Sequence, residues 1–456
     1  MFKRKAYDRL QEWKERSQGR TAVLIEGARR VGKTTLVKCF AQNEYKDYLY
    51  IDFSAASKAT LDIFLNHRED VDLFLRMLQL QYGKALEPRE SLVIFDEVQR
   101  FPIAREYIKH LVEDGRFDYI ETGSLVSIKK NVDSIVIPSE EERIPLEPLD
   151  FEEYLWATGK DLYAEEIRKA RESRTALPDG VHATCMRLFD EYMLVGGMPQ
   201  SVDSFVAEND FRGCDRVKRQ IIALYREDIA KFGGSDARRA RAVYDDIPGQ
   251  LSAANKRFKF DSLEKGSRFE TYESALIWLE DARLINRCYL CSDPSVGYRL
   301  HEDASSLKCY MADTGLLVSL AFDDGPDLMD VHRDIQFGRI SINKGMLIEN
   351  IVAQQLKSLG HSLFYYSWQE PSKTEGSRPR TREIDFLVSR GFEDAAGKPR
   401  VTPVEVKSSK SYSTISLDDF GRRFERRVGE EIVLHSKQLR AEGHRIYLPL
   451  YMTIFI

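Results

Sequence analysis

No apolar stretch in the sequence approaches the ~20 residues that a helix needs to cross a bilayer. The amino-terminal segment MFKRKAYDRLQEWKERSQGR begins basic but lacks the apolar run of a secretory signal. These absences give the expectation of a cytoplasmic protein with no membrane partner. Cysteine is sparse. The six residues (Cys39, Cys185, Cys214, Cys288, Cys291 and Cys309) are too dispersed for a disulfide framework and fit a reducing compartment. Neither sign of charge dominates: 68 Lys and Arg stand against 73 Asp and Glu, a net charge of -5. A nucleic-acid role would therefore have to rest on a local basic patch. With 43% hydrophobic and 31% charged residues over 456 positions, the chain has a globular composition. At ~150 residues per domain, its length suggests about three domains.

Short apolar runs punctuate the first third. TAVLIEG (21–27), YLYIDF (48–53), SLVIFDE (91–97), DYIETGS (118–124) and RIPLEPL (143–149) read as strands alternating with helical segments, the pattern of a parallel α/β sheet. Residues 151–230 are mostly helical, broken at VGGMP (195–199). Residues 236–320 mix short helices with a strand pair near 284–301. From 340 onward the α/β texture returns, with a helix at 345–359 and strands SLFYYSW, REIDFLV, TPVEVKSS and RIYLPLYM. The polar loop EPSKTEGSRPRTR separates the first two of these strands.

Gly27-Ala28-Arg29-Arg30-Val31-Gly32-Lys33-Thr34 fits GxxxxGK[ST] in full, after an expected strand and at the start of an expected helix. Such a loop curls its backbone N–H groups around phosphates. Lys33 would bring charge to the β- and γ-phosphates and Thr34 a hydroxyl to Mg²⁺, with Thr35 beside them. Asp96-Glu97 end the apolar strand LVIFDE. In this class Asp96 would hold Mg²⁺ through water and Glu97 would act as general base on the attacking water. Thr122 or Ser124 could sense the γ-phosphate from a strand inserted between the other two, or could equally cap a helix.

GARRVGKT, LVIFDEVQ, TGSLVS, RIPLEPLDFEEYL, LVGGMP and KCYMADTGLL, in this order, resemble a prokaryotic AAA+-type ATPase family. Its members join an amino-terminal ATPase domain to a carboxy-terminal domain of unknown function. The resemblance implies an ATPase core, a helical lid, a winged-helix segment and a restriction-endonuclease-like domain. In related signal-transducing ATPases a GxP motif meets the nucleotide from the lid; Gly197-Met198-Pro199 matches it, making Pro199 a nucleotide-binding candidate. Arg29, Arg30, Arg100 and Arg143 are candidate arginine fingers by position alone.

In the middle region, Lys256, Arg257, Lys259, Lys265 and Arg268 precede or open an expected recognition helix at 268–282. They suit phosphate contacts to DNA, although Glu264, Glu270 and Glu273 dilute the patch, and a winged helix can also serve protein packing. Cys288 and Cys291 lack the second ligand pair that a tetrahedral metal site needs and read as ordinary strand cysteines.

The last region carries Glu349 on an expected helix, Asp385 before FLV, and Glu405-Val406-Lys407 on a strand. Glu405 and Lys407 share a strand face. With Asp385 alongside, they resemble the D…ExK set of restriction-endonuclease and Holliday-junction-resolvase folds. Asp385 and Glu405 would bind Mg²⁺, and Lys407 would orient or activate a water. Glu383-Ile384 departs from the proline that often precedes that aspartate. The same fold could also serve as an inactive binding platform.

The expected fold is thus α/β: a P-loop NTPase parallel sheet (1–150), a helical lid (151–235), a winged-helix segment (236–335) and a restriction-endonuclease-like α/β domain (336–456). The expected function is ATP binding and hydrolysis with action on DNA, Mg²⁺-dependent cleavage at the carboxy-terminal site, and assembly into a homo-oligomer. The alternative is a nucleotide-switched interaction protein.

Overall fold

The computed structural model describes residues 1–124, 138–231, 234–295, 297–322, 344–370, 379–388, 400–409 and 411–456. Residues 125–127 of TGSLVS, 371–378 of the polar loop and the boundary expected at 335 lie outside them. The chain divides into two units. One comprises Met1–Glu147 with Asp281–Arg283, the other Pro148–Glu280 with Leu284–Ile456.

In the first unit, α1 (Lys5–Ser17), β1 (Ala22–Glu26), α2 (Lys33–Glu44), β2 (Asp47–Asp52), α3 (Lys58–Asn66), α4 (Val71–Tyr82), β3 (Ser91–Asp96), α5 (Pro102–Asp114), β4 (Asp118–Gly123) and β5 (Glu141–Pro145) follow one another. The strands form one parallel sheet in the order β2-β3-β4-β1-β5. β1, β3 and β4 are buried at every position. That burial explains why β1 and β3 read as near-continuous apolar runs rather than alternating ones, whereas β4 also buries Asp118, Glu121 and Thr122. Phe53, Phe64, Phe74, Phe95 and Tyr107 pack edge-to-face under α3, α4 and α5. β4 lies between β3 and β1, as its expected role as an inserted strand requires.

The second unit opens with helices α6 (Phe151–Ala157), α7 (Asp161–Ser173), α8 (Asp179–Val195), α9 (Pro199–Glu208), α10 (Phe211–Ala230), α11 (Gly234–Ser252) and α12 (Phe269–Asp281). β6 (Ile285–Cys291), β7 (Glu302–Met311), α13 (Thr314–Ala321), α14 (Lys344–Ser358), β8 (Leu363–Glu370), β9 (Arg380–Val388), β10 (Thr402–Val406), α15 (Ile415–Arg423), β11 (Glu431–His435), β12 (Arg440–Glu442) and β13 (Arg445–Pro449) complete it. The strands form a mixed eight-stranded sheet in the order β12-β13-β11-β10-β9-β8-β6-β7. The strand pair expected near 284–301 is found as the β6–β7 hairpin, whose second strand starts only at Glu302, and β6 also hydrogen-bonds in parallel to β8. A hydrogen-bonded edge overrides the sequence interval between them. Cys288 and Cys291 sit buried on β6 as free thiols.

Candidate functional site: a phosphate loop and a buried ion cluster

The turn from β1 into α2 is tight. Gly32 has φ 100° and Arg30 has φ 71°, both left-handed. A Cβ on Gly27 would lie 2.3 Å from the Leu146 carbonyl oxygen, so only glycine fits there. The loop is also braced from behind, where Arg4 Nη1 donates to Val31 O (3.2 Å) and Nη2 to Glu147 O (2.6 Å). Lys33 is buried, and its Nζ donates to Gly27 O (3.0 Å) and Ala28 O (3.1 Å). Burial lowers the Lys33 pKa, while Glu97 and Asp96 pull it back up.

Asp96, at the end of β3, is buried and gathers hydroxyl donors from three elements. Thr34 Oγ1 donates to its Oδ2 (2.9 Å) and Oδ1 (3.2 Å). Thr122 on β4 donates to Oδ1, and the Tyr50 hydroxyl on β2 donates to Oδ2 at 2.5 Å. Glu97 follows in a left-handed conformation, φ 57°. Its Oε2 accepts from Gln99, and its backbone N–H lies 3.4 Å from Thr122 Oγ1. Arg29, Arg30, Thr35 and Arg100 are exposed, and Arg143 pairs with Glu141 at 3.2 Å.

In the second unit, Glu405 is buried and Asp385 half-buried, and the two have different charged neighbours. Phe364 pairs with Leu387 and Tyr366 with Ile384, so β9 carries one extra residue against β8. Such a bulge re-aims side chains. Ile384 and Leu387 both join the apolar cluster that includes Leu417 and Phe420 of α15. Phe386 meets Tyr310 instead. Asp385 Oδ2 accepts from the Val406 N–H at 2.8 Å, and the charges around it are Glu349, Lys308 and Glu383. Glu405 pairs with Lys407 at 2.7 Å and has Arg445 and Asp418 as its other charged neighbours. The Val404–Phe386 pairing and the Val406 N–H bond bring Asp385 alongside the strand that carries Glu405, while Lys407 pairs with Glu405 and the charges acting on Asp385 are Glu349, Lys308 and Glu383. Among the described residues, no group of three or more His, Cys, Asp or Glu side chains is placed to hold a metal ion.

An ammonium stands among the carboxylates instead. Lys308 on β7 pairs with Glu349 Oε1 at 3.0 Å and Glu383 Oε1 at 2.7 Å, and the Tyr310 hydroxyl donates to Glu349 at 2.5 Å. Lys256 binds the other Glu349 oxygen. Burial alone would raise the Glu349 pKa, but Lys308 and Lys256 bring it down to about 2. Burial, then Glu349, pushes Asp385 up to about 7. Lys308, Tyr310 and Glu383 were not candidates from sequence. The two-residue spacing of Lys308 and Tyr310 puts them on one strand face, a signal available in KCYMADTGLL.

Residues 19–155 match the family model described as "AAA domain". Residues 19–155 form an AAA-type P-loop ATPase domain. Two further family models, each described as a domain of unknown function (DUF8612 and DUF4143), match residues 186–327 and 344–452 of the same chain. No curated protein matches the chain. Among solved structures, a Walker-type ATPase of Pyrococcus abyssi is 17% identical, with 70% of this chain and 96% of that chain covered and a TM-score of 0.40. The Aeropyrum pernix ORC1 protein, solved in complex with DNA, is 12% identical, with 71% and 93% covered and a TM-score of 0.27. Cdc6p from Pyrobaculum aerophilum is 13% identical, with 73% and 93% covered and a TM-score of 0.26. These are distant likenesses, and nothing about partners follows from them.

Outside the ATPase domain, Pro199 opens α9 after a close backbone crossing. Asp313 accepts from Gly197 N–H (2.6 Å) and caps α13 through Leu316 N–H (2.9 Å). Of the basic residues expected at DNA, Lys256 is committed to Glu349, and Arg257 Nε donates to the Tyr365 hydroxyl at 3.3 Å. Lys259, Lys265 and Arg268 are exposed. No helix among the described residues is long and apolar enough to cross a membrane.

Proposed function

We propose that the ATPase domain binds ATP with Mg²⁺ at Gly27–Thr35, and that hydrolysis there switches the eight-stranded unit as a binding platform rather than a nuclease. The observation that carries the first part is the Asp96 carboxylate, held by the Thr34, Thr122 and Tyr50 hydroxyls and neighboured by the buried Lys33. This donor set suits a triphosphate and a hard cation: an ammonium, a loop of amides, one hydroxyl and one carboxylate. Mg²⁺ bound there would neutralise charge on the phosphate oxygens. Lys33 would turn from the Gly27 and Ala28 carbonyls to the phosphates. Glu97, steadied by Gln99, would accept the proton of the attacking water, and Thr122 would register the γ-phosphate through Asp96.

Lys33→Ala should abolish nucleotide binding. Glu97→Gln should keep ATP bound and lose turnover by ~10²-fold or more, the usual worth of a general base. Undiminished turnover in Glu97→Gln would show that another group takes the proton.

The platform reading is supported by Lys308, whose ammonium already balances Glu349 and Glu383 and acts on Asp385 where a nuclease would balance carboxylates with a metal. Purified protein should therefore leave linear and branched DNA intact with Mg²⁺ or Mn²⁺. Cleavage that Asp385→Ala abolishes would restore the nuclease. DNA as the platform's partner is supported by the exposed Lys259, Lys265 and Arg268, and assembly into a homo-oligomer by the family resemblance.

A further inference from the structure

Tyr50 lies on the edge strand β2, opposite Ile94 of β3, while Asp52 lies opposite Asp96. Paired residues of parallel strands project to the same side, so Tyr50, Asp52 and Asp96 share one face of the sheet. Two contacts fix the tyrosine. Lys38 of α2 sits 3.7 Å from the centre of its ring, and its hydroxyl donates to Asp96 Oδ2 at 2.5 Å. Lys38 lies one helical turn beyond Thr34, so the helix that presents the Thr34 hydroxyl also clamps the phenol. Tyr50 also lines a cleft of about 350 Å³ with Asp52, Ser57, Thr60 and Tyr82.

The donors around Asp96 divide by role. Thr34 Oγ1 reaches both carboxylate oxygens, but its hydroxyl is the one the motif assigns to a metal. Once it turns away, one donor remains for each oxygen: Thr122 for Oδ1 and Tyr50 for Oδ2. Two donors on opposite oxygens fix the plane of a carboxylate, and a single donor leaves it free to swing. We propose that Tyr50 is the positioning residue of the Mg²⁺ site: it locks the rotation of Asp96 without touching nucleotide or metal itself. Burial and the Asp96 hydrogen bond push the Tyr50 hydroxyl well above its ordinary pKa, so it remains a donor throughout the working range.

The inference rests on the ATP–Mg²⁺ reading and deepens it. Its test compares fluorescent ADP affinity in EDTA with affinity in Mg²⁺, and follows Mn²⁺ binding to the nucleotide complex by electron paramagnetic resonance, for parent, Tyr50→Phe and Tyr48→Phe. Tyr48 is the control, since its hydroxyl accepts from Gln42 at 3.4 Å instead. Tyr50→Phe should weaken Mn²⁺ binding ~10- to 100-fold, the usual effect of removing a partner of a metal-site carboxylate. Its affinity for nucleotide in EDTA should stay at the parent value, and Tyr48→Phe should match the parent in both. In an Asp96→Asn background, Tyr50→Phe should add no further loss, because the oriented group is gone. Parent-like Mn²⁺ affinity, equal losses with and without metal, or additive losses in the double variant would each overturn the assignment. A parent that binds no nucleotide would overturn the function and the assignment together. If Tyr50→Phe unfolds early by circular dichroism, Tyr50→His, which restores a ring and a donor, should recover part of the Mn²⁺ affinity; no recovery in a folded Tyr50→His overturns the proposal.

Discussion

Asp385 shows how burial sets the sign of a pH response. Its folded-state pKa is raised to about 7, whereas an aspartate in an unfolded chain ionises near ~3.9. Between those values the folded chain holds a proton that the unfolded chain has lost, so this residue's contribution to stability falls as pH rises through the window. Glu349, depressed to about 2, acts the other way: its contribution is complete above about pH 4.5 and is lost on acidification towards 2. Asp385→Asn keeps an oxygen to accept from Val406 N–H and cannot ionise. Its unfolding midpoint should be flatter than the parent's from about pH 5 to about pH 8, and higher at the upper end. Parallel curves would mean that Asp385 is already ionised in the folded chain. Lys33, Thr34 and Asp96 were legible because their chemistry is local, a loop and a strand end with unmistakable residue types. Asp385 was legible as a candidate metal ligand beside Glu405, but its carboxylate neighbours Glu349 and Glu383 and the extra residue in β9 were not, because no residue type announces a bulge.

At the scale of elements, the end of α8 and the start of α13 cross in close backbone contact. A Cβ on Gly315 would lie 2.6 Å from Gly196 Cα and 2.7 Å from Val195 O. Neither atom belongs to a flexible side chain. Gly315→Ala should therefore destabilise the chain by ~1–3 kcal/mol, in the range of overpacked cores. Gly180, inside α8, has open space where its Cβ would be. Gly180→Ala should be neutral or stabilising by up to ~1 kcal/mol, since alanine restricts the unfolded chain more and suits a helix better. Denaturant titration of the two variants checks both signs, and equal effects would mean the backbones slide apart freely. The five strands of the first sheet and several of the second were readable as apolar runs, but β11 and β12 were not. What periodicity could not supply was partnership: β6 and β7 read as a hairpin, but only the β6–β8 hydrogen bonds make them part of the larger sheet.

Charge behaves differently when the whole chain is considered. Five cations between positions 256 and 268 looked like one patch in sequence, yet the fold spends Lys256 on Glu349 and Arg257 on Tyr365. Exposed cations are what counterion release counts. If the chain binds DNA, replacing Lys259, Lys265 and Arg268 with Ala should weaken it and flatten its salt slope by up to ~0.9 for each phosphate no longer neutralised. Lys256→Ala should instead lower thermal stability, by removing one of the ammonium groups that balance Glu349. A triple variant with the parent's slope would remove DNA from the reading.

The assignment of Asp281–Arg283 to the first unit has a consequence for cutting the protein apart. Arg283 Nη1 donates to Glu147 at 3.1 Å and Nη2 to Glu26 at 3.3 Å, and Glu26 is the residue immediately before the phosphate loop. A fragment ending near position 150, the natural place to cut by sequence, would keep every residue of the nucleotide motif and still lose that guanidinium. Glu26, buried behind the loop, would then have no cation opposite it. The compact unit around the phosphate loop thus borrows three residues from far along the chain, so trimming the gene to its motif-bearing third should yield a weaker nucleotide binder than the intact protein.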